Sequence, residues 1–494
     1  MKTRFLHRRY AEDNGDVYDQ YGTEDTEGLE QHFNDYGAGE SRGVPLGNYA
    51  AIEGVLASEQ GHLYLSGWAD RRMVRRFEIT IEVGYVQYDL GEVELCWYHR
   101  ADVSQVTGDT ERSSGFVALL KIPDLHLNAN VRILVNDQQM YENKLMRWQS
   151  VDHFLTQTLG ACAMLADRPA GVGMKIGRQL MTPLQETWGE FLEGVHFTRA
   201  FETGDPEAAV DQSIIIALYR KADMLLPQLE CLAGTLQNSA TEVIVVCNQL
   251  QTPELVIDQL AGFCQLNAIR LRLYLCPRNS GFSAANNFGA DMARGDTLIF
   301  MNPDIFPPER SPERGLDFLT TPAGDGLTGA LLYYGDGMLM HSGMYVAEDI
   351  AFDARAGVSE PVLRVEHYGK GLSHHIDDDD AALEQVMAPI RDNDNLLVTA
   401  ALWKIRKSLF DDMGGLSTDY MFAYYEDADF CLRLLQAGHP IRIDETARWI
   451  HMEGVGKAKP PAVRSFMWLN RVLFSHRFAN SGLVAPAATD LFQL

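Results

Sequence analysis

A single carboxylate follows an apolar strand in the segment FMNPDIF. The approach, DTLIFM, has the apolar, β-rich character of a buried strand, and Pro303 ends it because proline cannot donate to a strand ladder. Asp304 therefore lies just beyond the carboxyl end of a strand, where open α/β sheets place their ligands. The alternative is an ordinary Asx-Pro turn that ends the strand.

A second acidic centre opens the helical segment EDADFCLRLL. Its first two residues are Glu426 and Asp427, and acids are preferred in the first turn of a helix because of the helix dipole. Asp429 and Arg433 are spaced i,i+4 and are expected to pair. Helix capping is thus one interpretation of the two acids, and a chemical role is the other.

Two consecutive asparagines lie in the helix that follows RNSGFS. Ser283 is the expected N-cap, and Asn286 and Asn287 fall within the first turns. Asparagine is a poor helix-interior residue because its side chain competes for backbone groups, so the pair indicates a polar task. The first strand-to-helix turn, LYRKAD, lacks the GxGxxG pattern, which argues against a dehydrogenase.

Strands and helices alternate after Asp211. The strands SIIIALY, TEVIVVCN, IRLRLYLCP and DTLIFM are separated by helical segments, which predicts right-handed βαβ units and a mostly parallel sheet. Earlier in the chain, short and partly alternating runs separated by polar breaks predict an antiparallel sandwich or small barrel. The predicted organisation is an irregular arm at 1–45, a β-sandwich-like domain at 46–150, a helical linker at 151–210, an α/β domain at 211–456 and a helical extension at 457–494.

Composition excludes several classes of partner. The 494-residue chain has a formal net charge of −26 and a pI of about 4.9, which argues against binding nucleic acid or an anionic membrane through a basic surface. Its 7 cysteines include no CxxC pair, as expected for a reducing cytoplasm. We find no signal peptide and no apolar run approaching ~20 residues, so a soluble, non-secreted protein is expected.

Three segments together resemble the family 2 glycosyltransferases over about residues 211–456. They are SIIIALY with EVIVVCN, then NSGFSAANNFGADMARGDTLIFMNPD, then VTAALWKIRKSLFDDMGGLSTDYMFAYYEDADFCLRLLQAGHPIRI with a following WIH. The resemblance points most closely to rhamnosyltransferase-like enzymes of bacterial surface-polysaccharide assembly. It implies a GT-A fold, a Rossmann-like α/β nucleotide-diphospho-sugar transferase domain, and inverting transfer from a nucleotide-sugar donor.

The resemblance also assigns a metal and donor site. Asp304 takes the place of the last acid of a DxD-type motif, which binds Mn²⁺ or Mg²⁺ on the phosphates of a UDP- or dTDP-sugar. Such hard ions usually take one or two protein carboxylates. His451 matches a histidine that can ligate the metal, and the alternative is a satisfied polar residue at a strand end. His341 in MHSG is implied to line the donor site. The implied donor-binding residues are Asn248, Asn279, Asn286, Asn287, Asn302 and Asp304.

Acceptor chemistry is assigned by the same resemblance. Asp427 matches the general base that deprotonates the acceptor hydroxyl, and Glu426 is implied to hold the acceptor, a saccharide or a lipid-linked saccharide. A sugar hydroxyl is a weak nucleophile, so inversion requires a carboxylate on the face opposite the leaving group. The preceding aromatic residues either stack on a sugar ring or belong to the core: Tyr420, Phe422, Tyr424 and Tyr425.

One departure from the family pattern concerns the nucleobase. Relatives usually carry an acid after the second strand, where this chain has Cys247 before Asn248. Asn248 and Gln249 offer amide hydrogen bonds instead. This departure keeps open the alternative of a carbohydrate-binding or scaffolding protein with an inactive transferase domain.

Three further segments fall outside these motifs. The acidic stretch 373–394 is expected to be a solvated loop or an active-site lid, since its spacing lacks the alternation of an EF-hand. DYGAGESRG at 35–43 is similar to a short segment found ahead of such transferase domains. SFMWLNRVLFSHRF near the carboxyl terminus either packs on the transferase domain or contacts the inner face of the plasma membrane, where a lipid-linked acceptor would lie.

Overall fold

The structure of the chain is a computed structural model. It describes residues 2–5, 11–12, 15–35, 50–69, 77–107, 114–122, 129–135, 138–146, 149–166, 170–219, 222–237, 239–250, 252–310, 312–353, 358–370, 374–391, 393–452 and 460–483. The DYGAGESRG segment lies outside these residues apart from Asp35. The chain divides into two compact units, Met1–Phe191 with Pro461–Ser465 and Leu192–Pro460 with Phe466–Leu494.

The first unit contains two antiparallel sheets and several helices. Its strands are β1 Lys2–Phe5, β2 Ala50–Ala57, β3 His62–Ala69, β4 Glu78–Val83, β5 Val86–Glu92, β6 Cys96–Tyr98, β7 Gly115–Lys121, β8 Ala129–Val135 and β9 Gln138–Met146. Its helices are α1 Gly15–Tyr21, α2 Thr26–Asp35, α3 Ala101–Thr107, α4 Val151–Ala166 and α5 Ala170–Glu193.

The two sheets of this unit share one core. Their strand orders are β1-β5-β4-β8-β9 and β2-β3-β7-β6. Leu65 and Phe116 from one sheet join Ile81 and Ile133 from the other in a single buried cluster, as in a sandwich. Strand β1 pairs with β5, so the amino-terminal segment contributes to a sheet.

The second unit is built on a large mixed sheet. The strands of that sheet are β10 Thr198–Thr203, β11 Gln212–Tyr219, β12 Thr241–Asn248, β13 Arg270–Cys276, β14 Thr297–Met301, β15 Ile305–Phe306, β16 Leu327–Tyr333, β17 Leu339–His341, β20 Leu402–Arg406 and β21 Ile441–His451, and β18 Met344–Asp353 and β19 Val358–His367 form a separate antiparallel pair. The helices are α6 Ala222–Leu236, α7 Pro253–Leu266, α8 Gly281–Met292, α9 Glu313–Thr320, α10 Asp380–Arg391, α11 Lys407–Asp412 and α12 Glu426–Gln436. A last helix, α13 Pro461–Phe478, belongs to this unit from Phe466 onwards.

Strand order places a switch point between β11 and β14. The sheet runs β10-β13-β12-β11-β14-β20-β16-β21-β15, with β17 on β16. Strands β11 to β14 are mutually parallel, and the chain winds outwards to β13 before returning to the other side of β11 as β14. Ligands of open α/β sheets bind outside the carboxyl ends of strands at such a reversal.

The predicted parallel pairing joins β11 to β14 and also joins β16 to β21. Strands β10, β15 and β20 pair antiparallel to their neighbours, so the complete sheet is mixed. After β14 the chain turns at Pro303. A later strand, β20, lies next to β14 and runs in the opposite direction, so β20 begins at the edge where β14 ends. The α/β prediction itself is confirmed, and β10 extends the sheet into the segment predicted as a helical linker.

Apolar periodicity accounts for the helices around β11 and β12. Leu225, Leu229, Leu232 and Leu236 place one face of α6 in the core of the sheet, at the i, i+4, i+7 and i+11 positions of a helix. On α8, a Cβ added at Gly289 would lie 2.5 Å from the side chain of Ile215. Only a residue without a side chain lets α8 pack this closely on the strands.

The acidic stretch at 374–391 packs against the large sheet of the second unit, to which it belongs. Leu383, Met387 and Ile390 on α10 are buried in a cluster with residues of β16 and β17. The buried guanidinium of Arg448 donates to the carbonyls of Ile376 and Asp378 and to the Asp380 carboxylate. Packing and these hydrogen bonds hold the segment against the sheet.

Among the described residues, no helix is long and apolar enough to cross a membrane.

A buried ion cluster ties the amino ends of the central strands together. Glu242 on β12 is 1% exposed and accepts hydrogen bonds from Ser213, Arg272 and Arg294. Burial raises the pKa of this carboxyl, but the hydrogen bonds and the Arg272 charge outweigh burial and leave the pKa below its ordinary value.

We expect Glu242→Gln to lower the free energy of unfolding by about 3–5 kcal/mol at pH 7, because it leaves buried cationic groups without their counter-charge. A folded-state pKa below the ordinary value means that the stabilisation is present above the ordinary pKa and is lost as the pH falls through the lowered one. Urea denaturation across pH 3 to 7 tests this. Glu384→Gln, which removes an exposed partner of Arg391, is the control and should have little effect. Equal behaviour of the two variants would contradict the prediction.

Candidate functional site

Hydrogen bonds from other segments of the chain hold both ends of the turn that contains Asp304. The Asn302 N–H donates to the Ala401 carbonyl at 2.8 Å, beyond the end of β14. Gln228, a fully buried residue of α6, donates from Nε2 to the carbonyls of Asn302 and Ile305 at 2.8 and 2.7 Å. The Asp304 side chain is itself 1% exposed, although its position beyond a strand end suggested a more open setting. Gln228 is a positioning residue that the sequence motifs do not indicate, and its only signal is a polar side chain on the apolar face of α6.

His451 joins Asp304 through strand pairing. In the β15–β21 register, Ile305 lies opposite His451, the last residue of β21. This places the Asp304 Oδ1 and His451 Nε2 atoms 3.4 Å apart. His451 is 7% exposed, and its buried Nδ1 finds no hydrogen-bond partner among the residues that the structure describes.

The pair can act as an ion pair or as two ligands of one cation. A carboxylate oxygen and an imidazole nitrogen suit Mn²⁺, and Mg²⁺ would rely more on the carboxylate. No group of three or more His, Cys, Asp or Glu side chains that could hold a metal ion occurs in the part of the chain that the structure describes. A cation here would therefore take two ligands from the described residues and the others from phosphate oxygens and water, as phosphate-bound ions usually do.

Two further histidines pair with one another. His341 ends β17 and His367 ends β19, and their Nδ1 atoms are 2.9 Å apart, so one ring donates and the other accepts. Burial, with smaller contributions from neighbouring charged groups, lowers the pKa of His341 well below its ordinary value and that of His367 to about 4. The two rings are therefore neutral at neutral pH, which suits a lining more than a charged contact.

The acid pair occupies the start of α12. Glu426 is 5% exposed, and no described residue hydrogen-bonds its Oε2 atom. Burial, followed by the charge of Asp427, raises the pKa of Glu426 well above its ordinary value. Asp427 is partly exposed and accepts from the N–H groups of Ala428 at 2.8 Å and Ala400 at 3.4 Å. Burial also raises the pKa of Asp427.

The chain just before β20 links the two acidic regions. Ala400 donates to the Asp427 carboxylate, and the carbonyl of its neighbour Ala401 accepts from Asn302. Both centres therefore lie at the same edge of the sheet, where β14 ends and β20 begins. Sequence spacing alone does not bring residues 304 and 427 to one edge.

The backbone ahead of the acid pair is strained. Phe422, Tyr424 and Tyr425 have φ angles of 59°, 81° and 75°, in the left-handed region that favours glycine. Each such residue costs on the order of 1 kcal/mol or more, and strain of this kind clusters at functional sites. Nothing in the sequence MFAYYED indicates this conformation, because none of the three residues is a glycine.

Only one of the preceding aromatic side chains is open to solvent. Tyr424 is 39% exposed, whereas Tyr420 is buried and its hydroxyl donates to Asp429 at 2.9 Å. Phe422 and Tyr425 are half-buried and contact aromatic rings of α13. Among these four residues, Tyr424 is the most exposed, and its ring also lies 6.1 Å from that of Phe466.

Four of the asparagines assigned to the donor bind the protein backbone. Asn248 donates to the Gly281 carbonyl and accepts from Ser280. Asn287 pairs with both backbone groups of Leu416, at 2.8 and 2.9 Å. The other two bonds are from Asn286 to the Phe282 carbonyl and from the Gly281 N–H to Asn279. These side chains shape the loops at the sheet edge, and their direct contact with a donor stays a prediction.

Residues 213–339 match a family model described as Glycosyl transferase family 2. This match confirms the resemblance over that segment, which includes Asp304 but neither Asp427 nor His451. Uncharacterized protein y4gI of Sinorhizobium fredii is 28% identical over 231 residues, which cover 46% of this chain and 23% of that protein. The chain thus spans less than a quarter of that relative's length.

Two solved structures show remote similarity. The mannosyltransferase PcManGT from Pyrobaculum calidifontis, in complex with GDP-Man and Mn²⁺, gives a TM-score of 0.34 at 12% identity, covering 68% of this chain and 84% of that one. GalNAc-T7 with UDP, GalNAc and Mn²⁺ gives 0.34 at 14% identity, covering 52% of this chain and 48% of that one. TM-scores below 0.5 do not establish a shared fold.

We expect Glu426→Gln to raise the melting temperature at pH 8 and to leave it unchanged near pH 4. A carboxyl whose pKa is raised by folding destabilises the folded state as the pH rises above its ordinary pKa, and glutamine removes that titration. The gain should be roughly 2–4 °C for each kcal/mol recovered. Thermal melts between pH 4 and 8 measure it, with exposed Asp412→Asn as the control that should follow wild type. A lower melting temperature at pH 8 would show that Glu426 is folded as a stabilising carboxylate.

Proposed function

We propose that this chain is a metal-dependent, inverting glycosyltransferase with a GT-A catalytic domain. It would move a hexosyl or deoxyhexosyl group from a UDP- or dTDP-sugar to a saccharide acceptor in polysaccharide biosynthesis, as rhamnosyltransferase-like enzymes do. The observation that carries the proposal is the shared sheet edge. Asp304 with His451 and Asp427 with Glu426 both lie at this edge, beside the switch point, and Asp304 falls within the segment that matches the family model.

Asp304 and His451 are proposed to hold Mn²⁺ or Mg²⁺ together with the donor's diphosphate. The bound cation would stabilise the charge that develops on the departing nucleoside diphosphate. Gln228 would keep the Asp304 turn in place by its two bonds to the turn's carbonyls. His341 and His367, both neutral, would line the donor site without opposing the cation.

Asp427 is proposed to act as the general base. Asp427 is a partly exposed residue, and the raised pKa of its carboxyl improves its ability to take a proton from a hydroxyl. Glu426 would bind the acceptor as a hydrogen-bond donor, because burial and the Asp427 charge favour its protonated form. We also propose a cytoplasmic location, at the inner face of the plasma membrane if the acceptor is lipid-linked.

One observation favours a second candidate, a carbohydrate-binding or scaffolding protein with an inactive transferase domain. The Asn248 amide, expected to replace the missing acid in nucleobase recognition, is engaged with Ser280 and Gly281. Hydrolysis of a panel of UDP-, dTDP- and GDP-sugars, with Mn²⁺, with Mg²⁺ and with EDTA, separates the two functions. Metal-dependent release of nucleoside diphosphate supports the enzyme, and binding without release supports the alternative.

We expect Asp304→Asn to reduce Mn²⁺-dependent affinity for the nucleoside diphosphate by at least tenfold, because an amide is a much weaker ligand than a carboxylate. Asparagine is preferred to alanine here because Asp304 is buried and its shape must be kept. Calorimetry with UDP and dTDP, with and without Mn²⁺, makes the measurement. Asp336→Asn changes an aspartate in an exposed turn and should bind as wild type. Unchanged affinity in Asp304→Asn would remove this residue from the metal site.

We expect Asp427→Asn to lower the turnover of the sugar donor by roughly 10²- to 10⁴-fold, because a positioned general base usually contributes a factor of this size. Donor affinity should stay within about twofold, since binding of the diphosphate belongs to Asp304 and His451. Turnover at saturating donor is compared with the calorimetric affinity for the nucleoside diphosphate. Asp411→Asn, on the exposed face of α11, is the control. Near-wild-type turnover would leave Asp427 with only a helix-capping role.

A further inference from the structure

One face of α13 is built to receive the strained turn at 421–425. Phe466, Asn470 and Phe474 are spaced i, i+4 and i+8 and are 8%, 1% and 0% exposed, so they form a buried stripe along the helix. The Phe466 ring lies 5.3 Å from that of Phe422, and the Phe474 ring lies 5.2 Å from that of Tyr425. The polar residue between the two aromatic rings is therefore held against the backbone of the turn.

Asn470 makes four polar contacts to that backbone, and the two Nδ2 hydrogens are shared among three carbonyls. Its Oδ1 accepts from the Met421 N–H at 3.0 Å. Its Nδ2 faces three carbonyls, those of Met421 at 3.0 Å, Ala423 at 2.9 Å and Tyr424 at 3.2 Å. A left-handed backbone turns its carbonyls away from the partners that a helix or strand would supply, and one side-chain amide supplies them here.

The turn leads directly into the acid pair. Tyr425 is the N-cap residue of α12, has a left-handed φ of 75° and makes no side-chain capping bond. Glu426 and Asp427 follow at once, so the direction in which their side chains leave the backbone depends on the conformation of residues 422 to 425. Without compensating contacts, bulky residues would leave the left-handed region, because it costs them on the order of 1–3 kcal/mol each.

We infer that Asn470 is a positioning residue for Asp427, acting through the left-handed turn that it binds. The inference rests on the proposed function, in which Asp427 meets the acceptor hydroxyl. It also gives α13 a role in the reaction, although this helix lies outside the segment that matches the family model. A displacement of about 1 Å in a reacting group can lower a rate by roughly 10²-fold, so a relaxed turn should slow turnover strongly.

The test compares Asn470→Ala and Asn470→Asp with a matched control on the same helix. Asn470→Asp keeps the acceptor for Met421 but replaces the donor to three carbonyls with a carboxylate. Ser475→Ala is the control, since Ser475 is also 1% exposed and its hydroxyl accepts from the Leu363 N–H of β19 and not from the turn. Melting temperatures show the loss of stability in each variant.

Two measurements read out the turn and the reaction separately. Amide hydrogen exchange of peptides that cover residues 421–428 should speed up at least tenfold in both Asn470 variants and stay as wild type in Ser475→Ala. In donor hydrolysis, with the best UDP-, dTDP- or GDP-sugar of the panel, kcat should fall by roughly 10- to 100-fold in both Asn470 variants while the donor KM stays within about twofold. Ser475→Ala should keep its kcat even if it melts earlier.

The outcomes distinguish the inference from the proposed function. If kcat of a folded Asn470 variant equals that of Ser475→Ala, or if exchange at 421–428 is unchanged, the positioning role is overturned. If wild type releases nucleoside diphosphate from none of the sugars, the proposed function fails. Amide exchange at 421–428 then still tests whether Asn470 holds the turn: faster exchange in the Asn470 variants supports this, and unchanged exchange contradicts it. Should Asn470→Ala not fold, Asn470→Asp is scored by the same two measurements.

Discussion

Parallel pairing of β11 with both β12 and β14 is the constraint on which the second unit depends. Because parallel strands end at one edge, the loops that leave β12 and β14 are brought to the same edge of the sheet. Antiparallel pairing of β20 beside β14 then adds the residues that contact Asn302 and Asp427. The candidate site is therefore a consequence of strand order, and its acids come from segments more than a hundred residues apart in sequence.

Loops at this edge have no ladder partners, and buried side-chain amides satisfy their backbone groups. Gln228 binds the turn at Asp304, Asn287 binds Leu416, and Asn470 binds the turn at 421–425. An amide offers both donors and an acceptor, so one side chain can satisfy several backbone groups that would otherwise be buried without partners. Polar residues that look like ligands in a sequence can thus serve to hold the loops that carry the ligands.

Buried carboxylates at the two edges of the sheet have opposite surroundings. At the amino end, Glu242 is surrounded by arginines and a serine, which compensate its burial. At the carboxyl end, the Oε2 atom of Glu426 has no hydrogen-bond partner within the described part of the chain, and three residues nearby have left-handed φ angles. Proteins retain unfavourable local arrangements mainly where they serve a function, so this contrast separates the supporting edge of the sheet from the candidate active edge.

Sequence pattern alone determined many of the elements, although not β10 in the predicted linker or α10 in the acidic stretch. Buried strands, the alternation of strands with helices after Asp211, the turn at Pro303 and the helix start at Glu426 follow from local periodicity and turn chemistry, which depend on neighbours in sequence. The family resemblance directed attention to Asp304 and Asp427 as candidates. What only the tertiary structure decided is which groups meet. The mixed direction of the sheet, the contact of Asp304 with His451, the docking of 374–391 by Arg448 and the left-handed turn bound by Asn470 all depend on contacts between distant segments. Local propensity favours none of them, because each exists only when packing supplies a partner for a buried polar group or offsets a strained backbone.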